Sequence, residues 1–197
     1  MKIPPSSRIA FQGERGAFSE EAAVKLLGEE IQLVSRTTFE TLYTSIKDGD
    51  ADYILAPIEN SLAGSVHRSY DLLISSGLHI QAEVVIPIVH NLIGVPGATF
   101  ERITQVSSHP VALAQCERFF ASHPSIKRVA TDDTAGSVRE VMGAGDATKA
   151  GIASQRASKV YGGAILREHL EDHPENYTRF LLLAASAEVA PNADKLS

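Results

Sequence analysis

Cysteine is nearly absent from this 197-residue sequence, in which Cys116 is the single example. One cysteine excludes an internal disulfide, and without Cys-x-x-Cys pairs there is no basis for a structural zinc cluster. We therefore expect a chain without a bound metal ion. A reducing compartment, the cytoplasm, suits such a composition.

Long apolar runs and an excess of basic residues are missing as well. No segment approaches the run of about 20 apolar residues that spans a bilayer, and residues 1–7 lack the apolar core of a signal peptide. The formal net charge of -6 argues against a nucleic-acid partner, because such proteins usually present a basic face. With 44% hydrophobic residues, the chain is long enough for a well-buried core. We expect a soluble globular protein whose ligands are small molecules, with no membrane partner.

Short apolar runs rich in β-branched residues alternate with helical patterns, which is typical of βαβ units. The pattern predicts strands at residues 8–12, 31–35, 53–57, 106–108, 128–131, 151–154 and 178–185. It predicts helices at residues 19–27, 39–47, 66–75, 111–121, 135–143 and 157–162.

The segment 81–95 is too long for one strand of about six residues, so we expect it to pass from one sheet to another. If the last strand returns to the first sheet, two crossing segments join two α/β lobes with a central cleft. Lobe 1 is then residues 1–86 plus 177–197, and lobe 2 is residues 87–176. The polar tail 187–197 is expected to be frayed.

Polar clusters fall at the carboxyl ends of several predicted strands, where α/β sheets place their ligands. The first is the loop 13–19, explained either by an anion site or by a glycine turn with Ser19 as helix N-cap. The second contains Glu59, Asn60 and Ser61. A carboxylate beside a carboxamide can hold a hydroxyl or carboxylate of a small ligand. The alternative is a loop whose Asn and Ser bond their own backbone.

A third cluster begins at Ser108, which we expect to cap a helix opened by Pro110. Gln115 follows about one helical turn along. His109 is either a general acid or, more commonly beside a proline, a structural hydrogen-bonding residue. Cys116 lies on an apolar helix face and is expected to be buried and inert.

Two further clusters complete the set. Asp132 precedes Asp133 and Thr134, either of which can serve as the N-cap of the next helix. Near the last strand, Arg179 follows Thr178, and a buried guanidinium needs a partner such as a ligand carboxylate. Ordinary capping is the alternative for this cluster.

Taken together, these residues resemble the catalytic domain of the prephenate dehydratase family. The resemblance rests on Gly-x-x-Gly-x-Phe-Ser, Pro-Ile-Glu-Asn, Ser-His-Pro-x-Ala-Leu-x-Gln-Cys, Asp-Thr-Ala-Gly and Asn-x-Thr-Arg-Phe, in that order, over residues 8–185. It implies a type II periplasmic-binding-protein-like pair of lobes with the active site in the cleft. It also implies decarboxylative dehydration of prephenate to phenylpyruvate in phenylalanine biosynthesis, without a cofactor, in a homodimer or higher homo-oligomer.

The resemblance also implies roles for particular residues. The family's essential threonine, which assists loss of the ring hydroxyl, falls on Thr178. Its other cleft residues fall on Glu59, Asn60, Ser108, Gln115 and Asp132. The remaining substrate-binding candidates are Ser61, Thr134, Asn176, Arg179 and Phe180.

Some positions depart from the family pattern. Asp132 stands where many members have Glu, Glu14 where many have Pro, and Ala17 where many have Thr. The sequence of residues 133–136 also resembles that of arogenate dehydratases, which act on the aminated analogue of prephenate. The family's C-terminal ACT domain has no counterpart in this sequence, and residues 193–197 resemble the linker that leads to it.

A mechanism follows as a hypothesis. Thr178 donates a hydrogen bond to the departing hydroxyl, while Arg179 holds a substrate carboxylate. Glu59 is the proton source if burial raises its pKa. The alternatives are an arogenate dehydratase and a non-catalytic small-molecule-binding module of the same fold.

Overall fold

The computed structural model describes residues 3–4 and 6–186, and within them strands and helices alternate. In chain order the elements are β1 (Arg8–Gln12), α1 (Phe18–Leu27), β2 (Gln32–Arg36), α2 (Phe39–Thr44), β3 (Tyr53–Asn60), β4 (Gly64–Ser65), α3 (His67–Ser76), β5 (His79–Pro87), β6 (Asn91–Gly94), β7 (Gln105–Ser108), α4 (Pro110–Ala114), α5 (Glu117–Ser122), β8 (Lys127–Ala130), α6 (Thr134–Ala144), β9 (Lys149–Ala153), α7 (Gln155–Tyr161), β10 (Ala164–Arg167) and β11 (Tyr177–Ala184). A 3-10 turn at Phe100–Arg102 precedes β7.

The chain forms two compact units. Among the described residues, the first unit contains residues 3–4, 6–13, 22–86 and 177–186, and the second contains residues 14–21 and 87–176. The expected tail and linker-like ending, residues 187–197, lie outside the described part of the chain.

Residues 14–21 correct the expected division, which placed them in lobe 1. They belong to the second unit because the loop is bonded and packed there. Ser154 Oγ donates a hydrogen bond of 2.7 Å to the Gly16 carbonyl. A Cβ on Gly16 would lie 2.8 Å from the Cα of Ala157, and Gly16 has a φ of +83°. Only glycine accepts both the backbone conformation and the close packing.

The sheet of the first unit has the strand order β2-β1-β3-β11-β5, with β4 paired to β3. Strand β1 is parallel to both β2 and β3, whereas β11 runs antiparallel to β3. The apolar residues of these strands pack with helices α2 and α3 around a core that includes Leu42, Ile54, Ile58 and Leu183. This core fixes the ends of β3 and β11, which carry several of the site candidates.

The sheet of the second unit has the order β10-β6-β9-β7-β8. Strand β7 is parallel to β8 and β9, and β6 is antiparallel to β9 and β10. Its main core contains Leu92, Val106, Leu113, Phe120 and Ile152. The carboxyl end of β7 leads directly into α4, so the core positions Ser108 and the turn that follows it.

Both expected crossing segments are confirmed. The β-rich stretch after α3 forms β5 in the first sheet and β6 in the second, and β11 returns to the first sheet between β3 and β5. The α/β class with two lobes is therefore confirmed. Among the described residues, no helix has both the length and the apolar character to cross a bilayer.

One expected helix is wrong. The predicted helix 111–121 is two short helices, α4 and α5, separated at Gln115 and Cys116. The Asp172 carboxylate accepts hydrogen bonds from the backbone N–H groups of Glu117 and Arg118 at 2.8 and 2.9 Å. A distant carboxylate therefore starts a new helix at residue 117, because it satisfies amides that a continuous helix would use.

Candidate active site

Asn60 and Thr178 form a hydrogen-bonded pair at the end of the β3–β11 ladder, where they are direct cross-strand partners. The Asn60 amide nitrogen donates to Thr178 Oγ1 at 2.9 Å and to the Tyr177 carbonyl at 3.1 Å. The Asn60 amide oxygen accepts from the backbone N–H groups of Leu62 and Ala63 at 3.0 and 2.8 Å. Because those donors need an oxygen, they fix which way the amide points.

This pairing determines what the Thr178 hydroxyl can do. A hydroxyl carries one proton and two lone pairs, and Asn60 uses one of the lone pairs. Within the part of the chain that the structure describes, the Thr178 proton has no acceptor. Thr178 is 9% exposed. Its free proton makes it a hydrogen-bond donor toward a ligand.

Ser61 completes the end of the ladder. Its backbone N–H donates to the Tyr177 carbonyl at 2.9 Å, and its hydroxyl accepts from the Tyr177 N–H at 2.9 Å. Ser61 is itself exposed. These contacts show that Ser61 holds the backbone next to Thr178. The expected contact of Ser61 with substrate stays a prediction.

Glu59 and Arg179 lie on the other face of the same strands. They are also direct cross-strand partners, and side chains alternate between the faces of a strand. The Arg179 guanidinium donates to Glu83 at 2.5 and 3.0 Å, and its side chain is 44% exposed. The condition for a ligand carboxylate, a buried guanidinium without a protein partner, is therefore not met, and the expected contact of Arg179 with substrate stays a prediction.

Glu59 is exposed. Burial was the condition for its role as proton source. Phe180, by contrast, is 2% exposed and is part of the protein interior. Its side chain is enclosed by protein, and the expected contact with substrate gains no support.

A second hydrogen-bonded group lies in the second unit, around Gln115 at the end of α4. The Gln115 amide oxygen contacts His90 Nε2 at 2.8 Å and accepts from the Asn176 amide nitrogen at 3.2 Å. Asn176 and Gln115 were both expected from the sequence, whereas His90 was missed. The available signal was a histidine, followed by Asn91, within the largely apolar run of residues 84–95.

The network assigns the proton on the His90 ring. An amide oxygen only accepts, so His90 Nε2 carries the hydrogen that points at Gln115. Burial lowers the His90 pKa, although the Gln115 hydrogen bond and the Glu171 charge act in the opposite direction. The ring is therefore neutral at physiological pH, and its Nδ1 is a bare acceptor.

Ser108 is fully buried at the carboxyl end of β7, where its hydroxyl donates to the Ile152 carbonyl at 2.6 Å. The sequence pattern predicted Ser108 as the helix cap, and this prediction is wrong. His109 is the N-cap of α4, because its Nδ1 accepts from the Val111 N–H at 3.2 Å. This contact supports the alternative in which His109 is a structural hydrogen-bonding residue. Cys116 is buried, and burial raises its pKa, as an inert thiol requires.

Asp133 is the N-cap of α6, and its carboxylate accepts from the Gly136 N–H at 2.6 Å. A Cβ on Gly136 would lie 2.5 Å from the other carboxylate oxygen, so a larger residue there would displace the capping carboxylate. Asp132 is exposed and has no hydrogen-bond partner among the described residues, and Thr134 opens α6 half-buried. Ligand contacts of Asp132 and Thr134 stay predictions.

The first loop is occupied by the chain's own carboxylate. Glu20 is 0% exposed, accepts from the Gly16 N–H at 2.9 Å, and forms salt bridges with Arg15 and Arg156. Burial alone raises the Glu20 pKa, but the hydrogen bonds from Arg15, the Gly16 backbone and Arg156 together lower it. An internal anion therefore takes the position expected for a ligand, and Ser19 lies within α1 rather than at its cap.

The expected residues thus assemble into two groups, one in each unit. Asn60, Ser61 and Thr178 share the first, and Gln115 and Asn176 share the second. The cleft between the lobes stays a prediction. Among the described residues, no three His, Cys, Asp or Glu side chains are grouped as ligands of a metal ion would be.

Comparison with known proteins agrees with this assembly. The family model described as prephenate dehydratase matches residues 9–188. Arogenate dehydratase 3, chloroplastic, of Arabidopsis thaliana is 41% identical over 189 residues, which are 95% of this chain and 44% of that protein. The chain therefore spans less than half the length of this relative.

Two solved structures are similar in fold. Prephenate dehydratase from Arthrobacter aurescens in complex with L-Phe has a TM-score of 0.84 and 27% identity, covering 94% of this chain and 63% of that one. GqqA, described as a novel type of quorum quenching acylase, has a TM-score of 0.84 and 32% identity, covering 94% and 66%. The family match covers all of the residues that carry the two hydrogen-bonded groups, and the chain belongs to the prephenate dehydratase family.

Proposed function

We propose that this chain is a catalytic unit that converts prephenate to phenylpyruvate, water and carbon dioxide on the route to phenylalanine. The observation that carries the proposal is the Thr178 hydroxyl, which accepts from Asn60 and keeps its proton for a ligand. Membership of the family supplies the reaction class. No cofactor enters the proposal, because the reaction is neither a redox nor a group-transfer step.

The chemistry asks little of the protein beyond positioning. Prephenate carries a carboxylate on a quaternary ring carbon and a hydroxyl on the opposite ring carbon. The bond to the carboxylate breaks, its electron pair enters the ring, and the carbon–oxygen bond of the hydroxyl breaks. The oxygen leaves with one added proton as water, and the ring becomes aromatic, which supplies the driving force.

Thr178 acts on the leaving oxygen in this proposal. A neutral threonine is a poor acid, so it polarises the departing hydroxyl through a hydrogen bond rather than by giving up its proton. Asn60 holds the threonine oxygen and thereby sets the direction of the O–H. The added proton is not assigned to Glu59, because Glu59 lies on the opposite face of β3 from Asn60.

Gln115 supplies a second donor to the substrate. Its amide oxygen is taken by His90 and Asn176, and its amide nitrogen makes no hydrogen bond within the described residues. An N–H donor of this kind matches a carboxylate, and prephenate carries two. Ser108, Asp132 and Thr134 are further candidates on the family pattern.

A direct assay tests the function. The purified chain is incubated with prephenate, and phenylpyruvate is measured by its absorbance in alkali. Thr178→Val, which removes the hydroxyl at nearly constant volume, is the matched control. A wild-type rate no greater than the enzyme-free blank would reject the catalytic reading and leave a small-molecule-binding module of the same fold as the alternative.

Arogenate is the second candidate substrate, and one observation favours it. Asp132 is an exposed carboxylate without a partner among the described residues, and arogenate differs from prephenate by an ammonium group that such a carboxylate attracts. The similar Arabidopsis protein is named for arogenate. Steady-state kinetics of Asp132→Asn with both substrates test this assignment. Lower activity with arogenate alone supports it, and an equal loss of activity with both substrates rejects it.

We also propose a cytoplasmic homodimer or higher homo-oligomer that binds neither nucleic acid nor membranes. The net charge of -6 and the single buried cysteine support this setting. Light scattering after size exclusion measures the assembly directly. A monomer at working concentrations would contradict it.

A further inference from the structure

His90 occupies a position that the proposed chemistry does not explain. The residue lies between β5 and β6 and is 2% exposed. Its Nε2 contacts the Gln115 amide oxygen at 2.8 Å. Its Nδ1 is buried and has no hydrogen-bond partner among the described residues. A buried acceptor without a partner is unfavourable. The favourable contribution of the His90 ring must therefore come from the hydrogen bond that its Nε2 makes.

The Gln115 amide has two possible orientations, related by a rotation that exchanges oxygen and nitrogen. In the observed orientation, the oxygen accepts from both His90 and Asn176. The reverse orientation would place the amide N–H₂ group against the Asn176 amide donor, so the Asn176 contact favours the observed orientation independently of the His90 tautomer. His90 and Asn176 together therefore make the reverse orientation unfavourable, and they leave the Gln115 N–H₂ group directed away from them.

The backbone of this pair is held by one loop, residues 169–172. Glu171 accepts from the His90 N–H at 2.8 Å, and the Leu170 N–H donates to the His90 carbonyl at 2.9 Å. The Asp172 N–H donates to the Gln115 carbonyl at 2.7 Å. The loop thus fixes both partners of the His90–Gln115 hydrogen bond.

The same loop contains an unusual backbone conformation. His169 has a φ of +56° and is the one non-glycine residue with positive φ among the described residues. Such a conformation costs free energy and persists where neighbouring contacts enforce it. The strain is consistent with a loop shaped to hold His90 and Gln115 in place.

We propose that His90 is a positioning residue, whose Nε2–H fixes the Gln115 carboxamide so that its N–H₂ group faces the substrate carboxylate. This inference rests on the proposed function for its substrate. Phe18 limits the ring from another side, with centroids 5.7 Å apart in an edge-on contact. His90 acts through Gln115 and does not touch the reacting atoms.

Three variants test the proposal. His90→Phe keeps an aromatic ring beside Phe18 and removes the donor, so Gln115 loses its fixed orientation. We expect KM to rise about 10-fold to 100-fold, as expected for one hydrogen bond to a charged group, with kcat changed much less. His90→Gln keeps an N–H donor near the Nε2 position and should restore most of the affinity. Gln115→Ala removes the group through which His90 acts.

A double-mutant cycle separates positioning from a general structural role. On the Gln115→Ala background, His90→Phe should raise KM no further, because the orientation it controls is gone. A further rise of the same size on that background would overturn the proposal. Thermal unfolding of each variant shows whether lost affinity reflects lost folding.

A measurement without substrate keeps this inference separate from the proposed function. The ¹⁵N spectrum of the histidine rings, with His90 assigned by its absence in His90→Gln, should show a neutral ring protonated on Nε2. A ring protonated on Nδ1 would overturn the proposal even in an active enzyme. If the protein has no activity on prephenate but shows the Nε2–H form, the proposed function fails and the positioning of Gln115 stands.

Discussion

Asn60 donates a 2.9 Å hydrogen bond to the hydroxyl oxygen of Thr178 across the β3–β11 ladder. The Thr178 proton has no acceptor among the described residues, so it can be donated to a ligand. We predict that Thr178→Val lowers kcat about 100-fold to 1,000-fold, the range seen when one donor to a developing negative charge is removed. Steady-state kinetics with prephenate measure it.

Thr178→Ser is the matched control, because it keeps the hydroxyl and loses only a methyl group. It should retain most of the activity. Thr178→Val also leaves one Asn60 N–H without its acceptor, so unfolding should become easier by about 1–2 kcal/mol. Near-normal kcat in Thr178→Val, with that stability loss, would remove Thr178 from the mechanism.

Asn60→Asp is a sharper prediction, because the two side chains have nearly the same shape. A carboxylate accepts from Leu62 and Ala63 as the amide oxygen does, but it cannot donate to Thr178. Thr178 then donates its proton to residue 60 instead of to the leaving hydroxyl. We expect kcat to fall about as far as in Thr178→Val.

Two further comparisons give this prediction its control. The double variant Asn60→Asp with Thr178→Val should be no slower than the worse single variant, because both changes remove one donor. Multiplying losses would mean that residue 60 and residue 178 act independently. Circular dichroism should show an unchanged fold in each case.

Much of the fold follows from local sequence patterns. The strand at residues 8–12 was predicted at its observed bounds, since a short apolar run and a following glycine loop define it. The crossing segment was predicted from its length alone. Strand β10 was missed because it is only four residues long and pairs through an irregular register with β6. The break after α4 depends on Asp172, which no local pattern reveals.

The site shows a similar division. The family resemblance placed Asn60 and Thr178 in one site, and the antiparallel register makes them neighbours in space. The predicted strand ended at residue 57 and left Glu59 and Asn60 on a loop, whereas β3 extends to Asn60 and its alternation turns these two side chains to opposite faces. His90 contacts Gln115 through the tertiary structure, so only its polarity within an apolar run could have indicated it.

Glu59 should prove dispensable for the chemical step. Its side chain is exposed on the face away from Thr178, so we predict that Glu59→Gln changes kcat by less than about threefold. Arg179→Ala serves as a control on the same face. It removes a surface ion pair with Glu83, which contributes about 0–1 kcal/mol to stability. A large fall in kcat for Glu59→Gln would restore its role as proton source.

The neighbours Glu20 and Glu21 should affect stability with opposite dependence on pH. Hydrogen bonds from Arg15, Gly16 and Arg156 outweigh burial and lower the Glu20 pKa below 4.5, so its stabilising effect is complete above that value and is lost as pH falls through the lowered pKa. Burial raises the Glu21 pKa above 4.5. The folded state therefore holds that proton more tightly, and stability declines as pH rises from 4.5 through the raised pKa.

Denaturant unfolding across pH tests this pair with two conservative variants. Glu21→Gln removes the group whose ionisation opposes folding, so its unfolding free energy should not decline across that window and should exceed the wild-type value at neutral pH. Glu20→Gln breaks a buried ion-pair network and should cost about 3–5 kcal/mol at neutral pH, with a smaller loss in acid. If Glu21→Gln instead showed the wild-type decline, the Glu21 carboxyl would already ionise freely in the folded protein, and burial would not control its charge.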